Sequence, residues 1–414
     1  MLRRAFVLLA GTVALNACAG GYVPGGYGGP VPLAAGQPGG PPIGGPTGQR
    51  VAILLPLSGA RADIGQSMLH AAQLAFDAPA LDAKDTGGTP DGAAAAARAA
   101  IAGGAGLILG PLTAQETAAV APIARPAGVA VLAFTNDPSQ AQPGVWTLGI
   151  TPGQQVRRLV AAAQAQGKSQ IAALLPDNDF GHAMGQALLQ ATTSAGLPPP
   201  NVRFYARGMA AINAATRELS GYGSRRGPID AQMRAARAEG TPEGRRRAQE
   251  LAKSSIAPPS FNALLLADTG EALAEIAAML PYYDIDRSAV KIMGPALWAS
   301  PSSGSGQFTG AWYAAPDPAA RASFEQAYTA KFGSAPSPLG DLAYDAASIA
   351  RVLAGRGGFS VGSLTQPSGF VGVDGWLALL PDGQVRRALA VFDIERGGPQ
   401  MVEPAPQSGN VPGA

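Results

Sequence analysis

The sequence predicts an α/β fold of two lobes, each a mostly parallel sheet flanked by helices, with a ligand-type cleft between the lobes. Three observations carry this reading. Short apolar runs alternate with helical stretches along most of the chain, the pattern of βα units whose strands are buried on both faces. The alternation comes in two sets, broken near Leu148 and near Gly294. The length of 414 residues exceeds one ordinary domain.

The elements follow in order. The apolar run 51–55 reads as a buried parallel strand and 56–59 as a turn. Over 64–77, Ile64, Met68, Leu69, Ala72 and Phe76 share one helical face. A weak strand is expected near 81–84, then an Ala-rich helix capped by Asp91 and reaching Ala102. A strand at 107–109, a helix at 113–125 and strands at 129–134 and 145–148 complete the first set. The second set runs helix 153–166, strand 171–175, helix 180–194, strand 202–205, strand 263–266, helix 271–280 and strand 290–293. Helices at 318–332 and 339–353 follow. The runs 373–379 and 385–392 then flank Pro381-Asp382-Gly383, an antiparallel hairpin signal. The resulting division is 49–148 plus about 295–355 for lobe 1, and 149–294 plus about 356–398 for lobe 2.

Hydrophobic residues make up 47% and charged residues 14% of the chain, so it can bury a sizeable core. A formal charge of +2 gives no whole-chain argument for nucleic acid, and none is expected as a partner. Cys18 is the one cysteine, which rules out an internal disulfide or a CxxC metal site.

The N-terminus places a basic pair, Arg3 and Arg4, before an apolar run at 5–15 that is too short for an ordinary membrane span. The run ends in Leu15-Asn16-Ala17-Cys18, which resembles the lipobox of bacterial lipoproteins. The resemblance implies that residues 1–17 are a signal peptide and that Cys18 carries the lipid, palmitate included. An ordinary cleaved signal peptide with an incidental cysteine is the other reading. Several acyl chains together anchor stably where one does not. Ala19, in place of Asp, follows the cysteine. By the same resemblance this implies the periplasmic side of the outer membrane. Residues 19–48 hold 12 Gly, 7 Pro and no charge, so 18–48 reads as the lipidated cysteine and a tether. The Pro-rich end, 399–414, reads as a disordered tail.

The stretch from Arg50 to Gly59 with Ile64-Gly65-Gln66, the run Gly106 to Leu112, residues 129–137 and Asp179-Phe180-Gly181 resemble, in order and spacing, the leucine/isoleucine/valine-binding proteins. The resemblance covers about residues 50–396 and implies the type I periplasmic-binding-protein fold. Leu54-Leu55-Pro56-Leu57-Ser58-Gly59, the run Leu107 to Ala114, the lipobox and a basic helical insert at about 208–255 are similar, more narrowly, to the penicillin-binding protein activator lipoproteins. In that family the fold is an interaction module that stimulates a cell-wall synthase.

Ligands of open α/β sheets sit beyond the carboxyl ends of the strands. Ser58, Thr113, Gln115, Thr135, Asn136, Phe180 and Asp268 fall in or beside such loops and are the candidate cleft lining. Ser58 and the helix start at Thr113 offer donors to a ligand carboxylate. Phe180 offers a ring to stack. In the amino-acid-binding relatives an acid at the place of Asp268 holds the ligand ammonium. The same residue types also serve as turn and cap residues. Two departures count against a free amino acid. Thr113-Ala114-Gln115-Glu116 replaces the relatives' serine-rich loop, and Asp137 would repel a carboxylate.

The segment 203–253 holds 11 Lys and Arg against 5 Asp and Glu, a net +6, which leaves −4 for the remainder. Arg225, Arg226, Arg245, Arg246 and Arg247 are its candidate docking residues for an acidic partner or anionic wall polymer; a solvated helical hairpin that only elongates a lobe is the alternative.

His70 and His182, the two histidines, have no second ligand near them in sequence and read as packing residues. Asp341, Tyr344 and Asp345 read the same way. Gly167-Lys168-Ser169 ends like a P-loop but follows a helix and lacks the first glycine. No GxSxG elbow is present. No catalytic residue, metal or cofactor is nominated, and an enzyme is not expected. The expected function is binding and activation of a class A penicillin-binding protein. The alternative is a solute receptor of an ABC transporter, taking amino acids or a related small polar ligand into the cleft. A clamp for a carboxylate would favour the receptor; the tether and the basic insert favour the protein partner.

Overall fold

The computed structural model describes residues 31–32, 50–76 and 80–408. Cys18, the signal segment and most of the tether lie outside the described residues. Val31–Pro32 forms a short first strand, β1.

Lobe 1 is built on a five-stranded, all-parallel sheet of Arg50–Leu55 (β2), Leu81–Asp85 (β3), Ala105–Leu109 (β4), Ala130–Ala133 (β5) and Val145–Thr147 (β6), ordered β3-β2-β4-β5-β6. Side chains alternate across each strand. Val51, Ile53 and Leu55 therefore enter one core, with Met68 and Leu69, while Ala52 and Leu54 enter another against Ala93, Ala97 and Val120. The helices are Ala62–Ala75 (α1), Pro90–Ala102 (α2) and Ala114–Ala124 (α3). The cap of α2 is Thr89, whose hydroxyl accepts from Gly92 N–H ahead of Pro90; Asp91, the expected cap, lies inside the first turn.

Lobe 2 begins with Pro152–Ala165 (α4), Ile171–Pro176 (β7), Asp179–Ser194 (α5) and Asn201–Tyr205 (β8). Met209–Ser220 (α6) packs Ile212, Ala215 and Leu219 into the core of lobe 2, so of the basic helical stretch expected at about 208–255 only Tyr222–Ala238 (α7) and Pro242–Ala252 (α8) project, as a hairpin. Ala263–Leu266 (β9), Gly270–Tyr282 (α9), Lys291–Gly294 (β10) and Trp312–Ala315 (β11) follow. Pro318–Phe332 (α10), Gly340–Ala354 (α11) and Val361–Leu364 (α12) return to lobe 1, where Phe324, Tyr344 and Ala347 join the core of β2 and α1. Phe370–Gly372 (β12), Gly375–Leu379 (β13) and Val385–Arg387 (β14) form a small sheet ordered β1-β12-β13-β14. Ala390–Glu395 (β15) and Gly398–Glu403 (β16) complete lobe 2, whose sheet runs β16-β15-β11-β10-β9-β7-β8.

Four expectations about placement change. Residues 295–315 stay with lobe 2, because β11 pairs with β10 and β15, and Trp298 and Phe308 pack in its core. Residues 356–388 stay with lobe 1, because Phe370, Leu377 and Val385 pack into its core. Residues 399–403 are paired in β16, and Val31–Pro32 pairs with β12. An apolar run announces a strand but not the sheet it joins, which only long-range pairing decides.

The chain thus crosses between the lobes three times, at 148–151, at 316–317 and at 388–389. Arg387, which precedes the third connection, fastens it to the first. Its guanidinium is buried and donates to Leu148 O at 3.0 Å and to Asp374 Oδ2 at 3.3 Å. Trp146 Nε1 donates to Leu380 O at 2.7 Å, and Arg158 Nε to Leu389 O at 2.8 Å. Beside Arg387 lie three buried carboxyls, Asp341, Asp345 and Asp374. Arg321 pairs with Asp341 at 3.1 Å, and Asp345 accepts from Val373 N–H. Burial first, then the charge of Asp374, pushes Asp341 up to about 8 and Asp345 up to about 7.

Candidate functional site

The loops after β2, β3 and β4 would present donors to a ligand at the carboxyl ends of lobe 1's strands. In each, carboxylates of the chain's own hold specific donors. Asp85, at the end of β3, accepts from the N–H groups of Leu57, Ser58 and Gly87 at 2.8, 3.2 and 2.8 Å. The Ser58 hydroxyl is the largest of several hydrogen bonds that hold the Asp85 carboxyl below the usual carboxylate range.

Thr113 is engaged in the same way. Its N–H and hydroxyl both donate to Glu116 Oε2, at 3.0 and 2.8 Å, and its hydroxyl oxygen accepts from Glu116 N–H. This is a capping box, and it occupies the first turn of α3 with a resident negative charge. Glu116 is fully buried, and its other oxygen accepts from Thr86 at 2.6 Å. Glu116 and Asp85 are the site residues that sequence reasoning missed. The Thr-x-x-Glu spacing of Thr113 and Glu116 was the available signal; Asp85 and Ser58, 27 residues apart, gave none.

The remaining candidates divide. Gln115 is exposed on α3. Thr135 is buried, and its hydroxyl accepts from Asp137 N–H; Asp137 in turn caps a short turn by accepting from Ser139 N–H. Asn136 is exposed, and its backbone lies against Gly149 in the first inter-lobe connection, where a Cβ would come within 2.7 Å of Asn136 N. Phe180 is half-buried in α5 and packs against lobe 2's core. Asp268 follows β9 and is half-exposed, but one oxygen accepts from Tyr205 OH at 2.8 Å and the other from Thr269 N–H. Burial, then Asp268, raises the Tyr205 phenol, which keeps it a donor. Lobe 1 therefore holds Ser58 and Thr113 in bonds to acids of its own, and lobe 2 offers one partly satisfied carboxylate.

The docking candidates also divide. Arg225 donates to Ser220 O, Ala257 O and Tyr283 O at 2.9, 2.7 and 2.7 Å, a bolt at the root of the insert. Arg226 pairs with Asp230 at 3.2 Å and reaches Ala252 O across to α8. These two hold the insert together. Arg245, Arg246 and Arg247 are exposed on α8; Arg245 donates to Gly240 O and Arg247 pairs with Glu239. Among the described residues, no group of His, Cys, Asp and Glu could hold a metal ion. His182 pairs with Asp177 at 2.8 Å, and His70 stacks on Phe332.

Comparison with known proteins agrees with this architecture. A structure described as a putative branched-chain amino acid ABC transporter protein from Rhodospirillum rubrum superposes with a TM-score of 0.64 at 20% identity, covering 85% of this chain and 99% of that one. The C-domain of LpoA from Haemophilus influenzae, described as a regulator of PBP1A, gives 0.59 at 18% identity over 85% of this chain and 99% of the domain. Full-length LpoA from the same organism gives 0.60 at 17% identity, covering 86% of this chain but 59% of that one. These likenesses show the fold. No curated protein sequence matches the chain. No helix among the described residues is long and apolar enough to cross a membrane. The model of the periplasmic binding protein family matches residues 48–366, and the chain belongs to that family.

Proposed function

We propose that this chain is a lipoprotein of the periplasmic side of the outer membrane, anchored through Cys18, that uses its binding fold to bind and activate a peptidoglycan synthase of the class A penicillin-binding protein type. The observation that carries the reading is the state of lobe 1. A receptor for amino acids must offer free donors to the ligand carboxylate. Here Asp85 and Glu116 take the donors of Ser58 and Thr113, and their charges would repel a second carboxylate. The likeness to the C-domain of LpoA, a regulator of PBP1A, points the same way. Activation is then a coupling free energy: the chain must bind the synthase's active state more tightly than its inactive one.

The test is a synthase assay. Residues 49–414 are added to the organism's class A penicillin-binding protein, and glycan polymerisation and crosslinking are followed. A dose-dependent rise supports the reading; binding without any change in rate contradicts it. The anchor has its own test, since Cys18→Ser should abolish incorporation of labelled palmitate.

One observation favours the second reading, a solute receptor. Asp268 remains half-exposed and could meet an ammonium group, and a protein described as a branched-chain amino acid transporter component shares the fold. Asp268→Ala separates the readings: it should leave synthase binding unchanged and would abolish amino-acid capture.

A further inference from the structure

We propose that the solvent side of the α7–α8 hairpin, with Tyr282 at its root, is a docking surface for an acidic face of a folded protein. The proposal rests on the regulator reading, under which that protein is the synthase.

The hairpin packs on itself. Ala236 of α7 and Gly244 and Ala248 of α8 are its buried residues, and a Cβ on Gly244 would run into the Ala236 carbonyl. The two helices therefore touch backbone to backbone near the tip, where their outer faces are turned to solvent. Arg225 bolts the root to three carbonyls, so the projection is fixed in direction. A rigid projection loses little freedom on binding.

Its arginines have two fates. Arg225 and Arg226 face inward and are fully engaged. Arg234, Arg237 and Arg246 are exposed, and their side chains have no hydrogen bond or ion pair among the described residues. Arg234 and Arg237, three apart, share a face of α7. Arg246 stands two residues from the buried Ala248, on the outer side of α8. The packing of the hairpin needs none of the three.

An aromatic anchor completes the surface. Tyr282 is 68% exposed at the end of α9 and stands edge-on to Tyr283, which is edge-on to Tyr222 at the start of α7. Its backbone is held in place beside Arg225, which grips Tyr283 O. From Tyr222 to Arg237 the helix rises roughly 22 Å, within the span of one protein interface. Exposed tyrosine with arginine is the composition of interface hot spots. Asp230, Glu243 and Glu250 are interspersed on the same two helices, and Glu239 sits in the turn between them. Those acids would repel a uniform polyanion at close range, whereas a patterned protein face can match both signs.

The test measures binding kinetics of the chain on immobilised synthase ectodomain, at low and high salt, with stimulation of glycan polymerisation alongside. Four proteins are compared: wild type; Arg234→Glu with Arg237→Glu and Arg246→Glu; the same three to Lys; and Tyr282→Ala. Circular dichroism checks that each is folded, as exposed positions should allow. The triple Glu variant should bind about tenfold or more weaker, mainly through slower association, and lose stimulation in proportion. The Lys variant should stay within about threefold and keep the salt dependence. Tyr282→Ala should dissociate faster. If wild type stimulates the synthase and the triple Glu variant does so equally, the surface is overturned and the regulator reading stands. If wild type neither binds nor stimulates, both fall. If Tyr282→Ala behaves as wild type while poly-glutamate binds the chain and displaces the synthase, the surface is a polyanion site and the protein-docking proposal is overturned.

Discussion

The strand-end loops of lobe 1 and the hairpin of lobe 2 use charge in opposite ways. In the loops, each acid meets donors from its own chain: Asp85 meets Ser58, and Glu116 meets Thr113 and Thr86. In the hairpin, the arginines near its tip are turned outward, and three of them meet no partner among the described residues. The strand-end loops thus carry charge that is paired within the chain, and the hairpin carries charge that is not. A hydrated, exposed guanidinium keeps its charge available to a partner of opposite sign, whereas paired groups hold a fold together. The difference supports the proposal that a partner is met at the hairpin and not at the loops where residue type alone would place it.

The comparison can be broken most severely at the connections between lobes. Arg387→Ala would leave Asp374 buried without its cation and free Leu148 O, and should cost about 3–5 kcal/mol in chemical denaturation. A loss under about 1 kcal/mol would show that the guanidinium is not what fastens the crossing. Glu116→Ala strips Thr86 and Thr113 of their acceptor and should cost about 2–3 kcal/mol, with Glu116→Gln intermediate. If the alanine variant is as stable as wild type, the loop is not self-held and the donors are available to a ligand.

The acid cluster gives a pH dependence. Asp341 and Asp345 have raised values in the folded state, so the native chain binds more protons than the unfolded one between the ordinary aspartate range and about 8. Their contribution is full below about pH 4 and is lost as pH rises through about 7 to 8. Denaturation at pH 5.5 and 8 should show lower stability at the higher pH, and Asp341→Asn should flatten that slope. A slope unchanged in the variant would assign the dependence to other groups.

The smallest effects belong to the hairpin. Gly244→Ala should push α8 off α7 at a cost of about 1–3 kcal/mol confined to the insert, seen as faster hydrogen exchange in residues 222–252 and not in the sheets. Arg234→Glu with Arg237→Glu and Arg246→Glu should change stability by about 0.5 kcal/mol or less, since nothing in the fold depends on them. Together these two sharpen the contrast: the seam is structural, and the charges on the outward side are not.

How much was legible in the sequence follows the same division. Strands and helices were readable because apolar runs and helical spacing are local, and the order of motifs identified the fold. Sheet membership was not, because β11 reads like any other apolar run and is placed by pairing with β10 and β15. The role of Glu116 was readable three residues from Thr113, as a capping box. The role of Asp85 was not, since its donors come from another strand's loop. Composition marked the insert as basic but could not separate Arg225, which grips three carbonyls, from Arg246, which grips none. Inward and outward arginines look alike in one dimension.

Calorimetric titration of free branched-chain and polar amino acids into residues 49–414 decides between the two readings. With Asp85 and Glu116 already holding donors of Ser58 and Thr113, no saturable heat is expected at millimolar ligand. Saturable heat with one-to-one stoichiometry, lost in Asp268→Ala, would contradict that expectation and return the cleft to the role of a solute site.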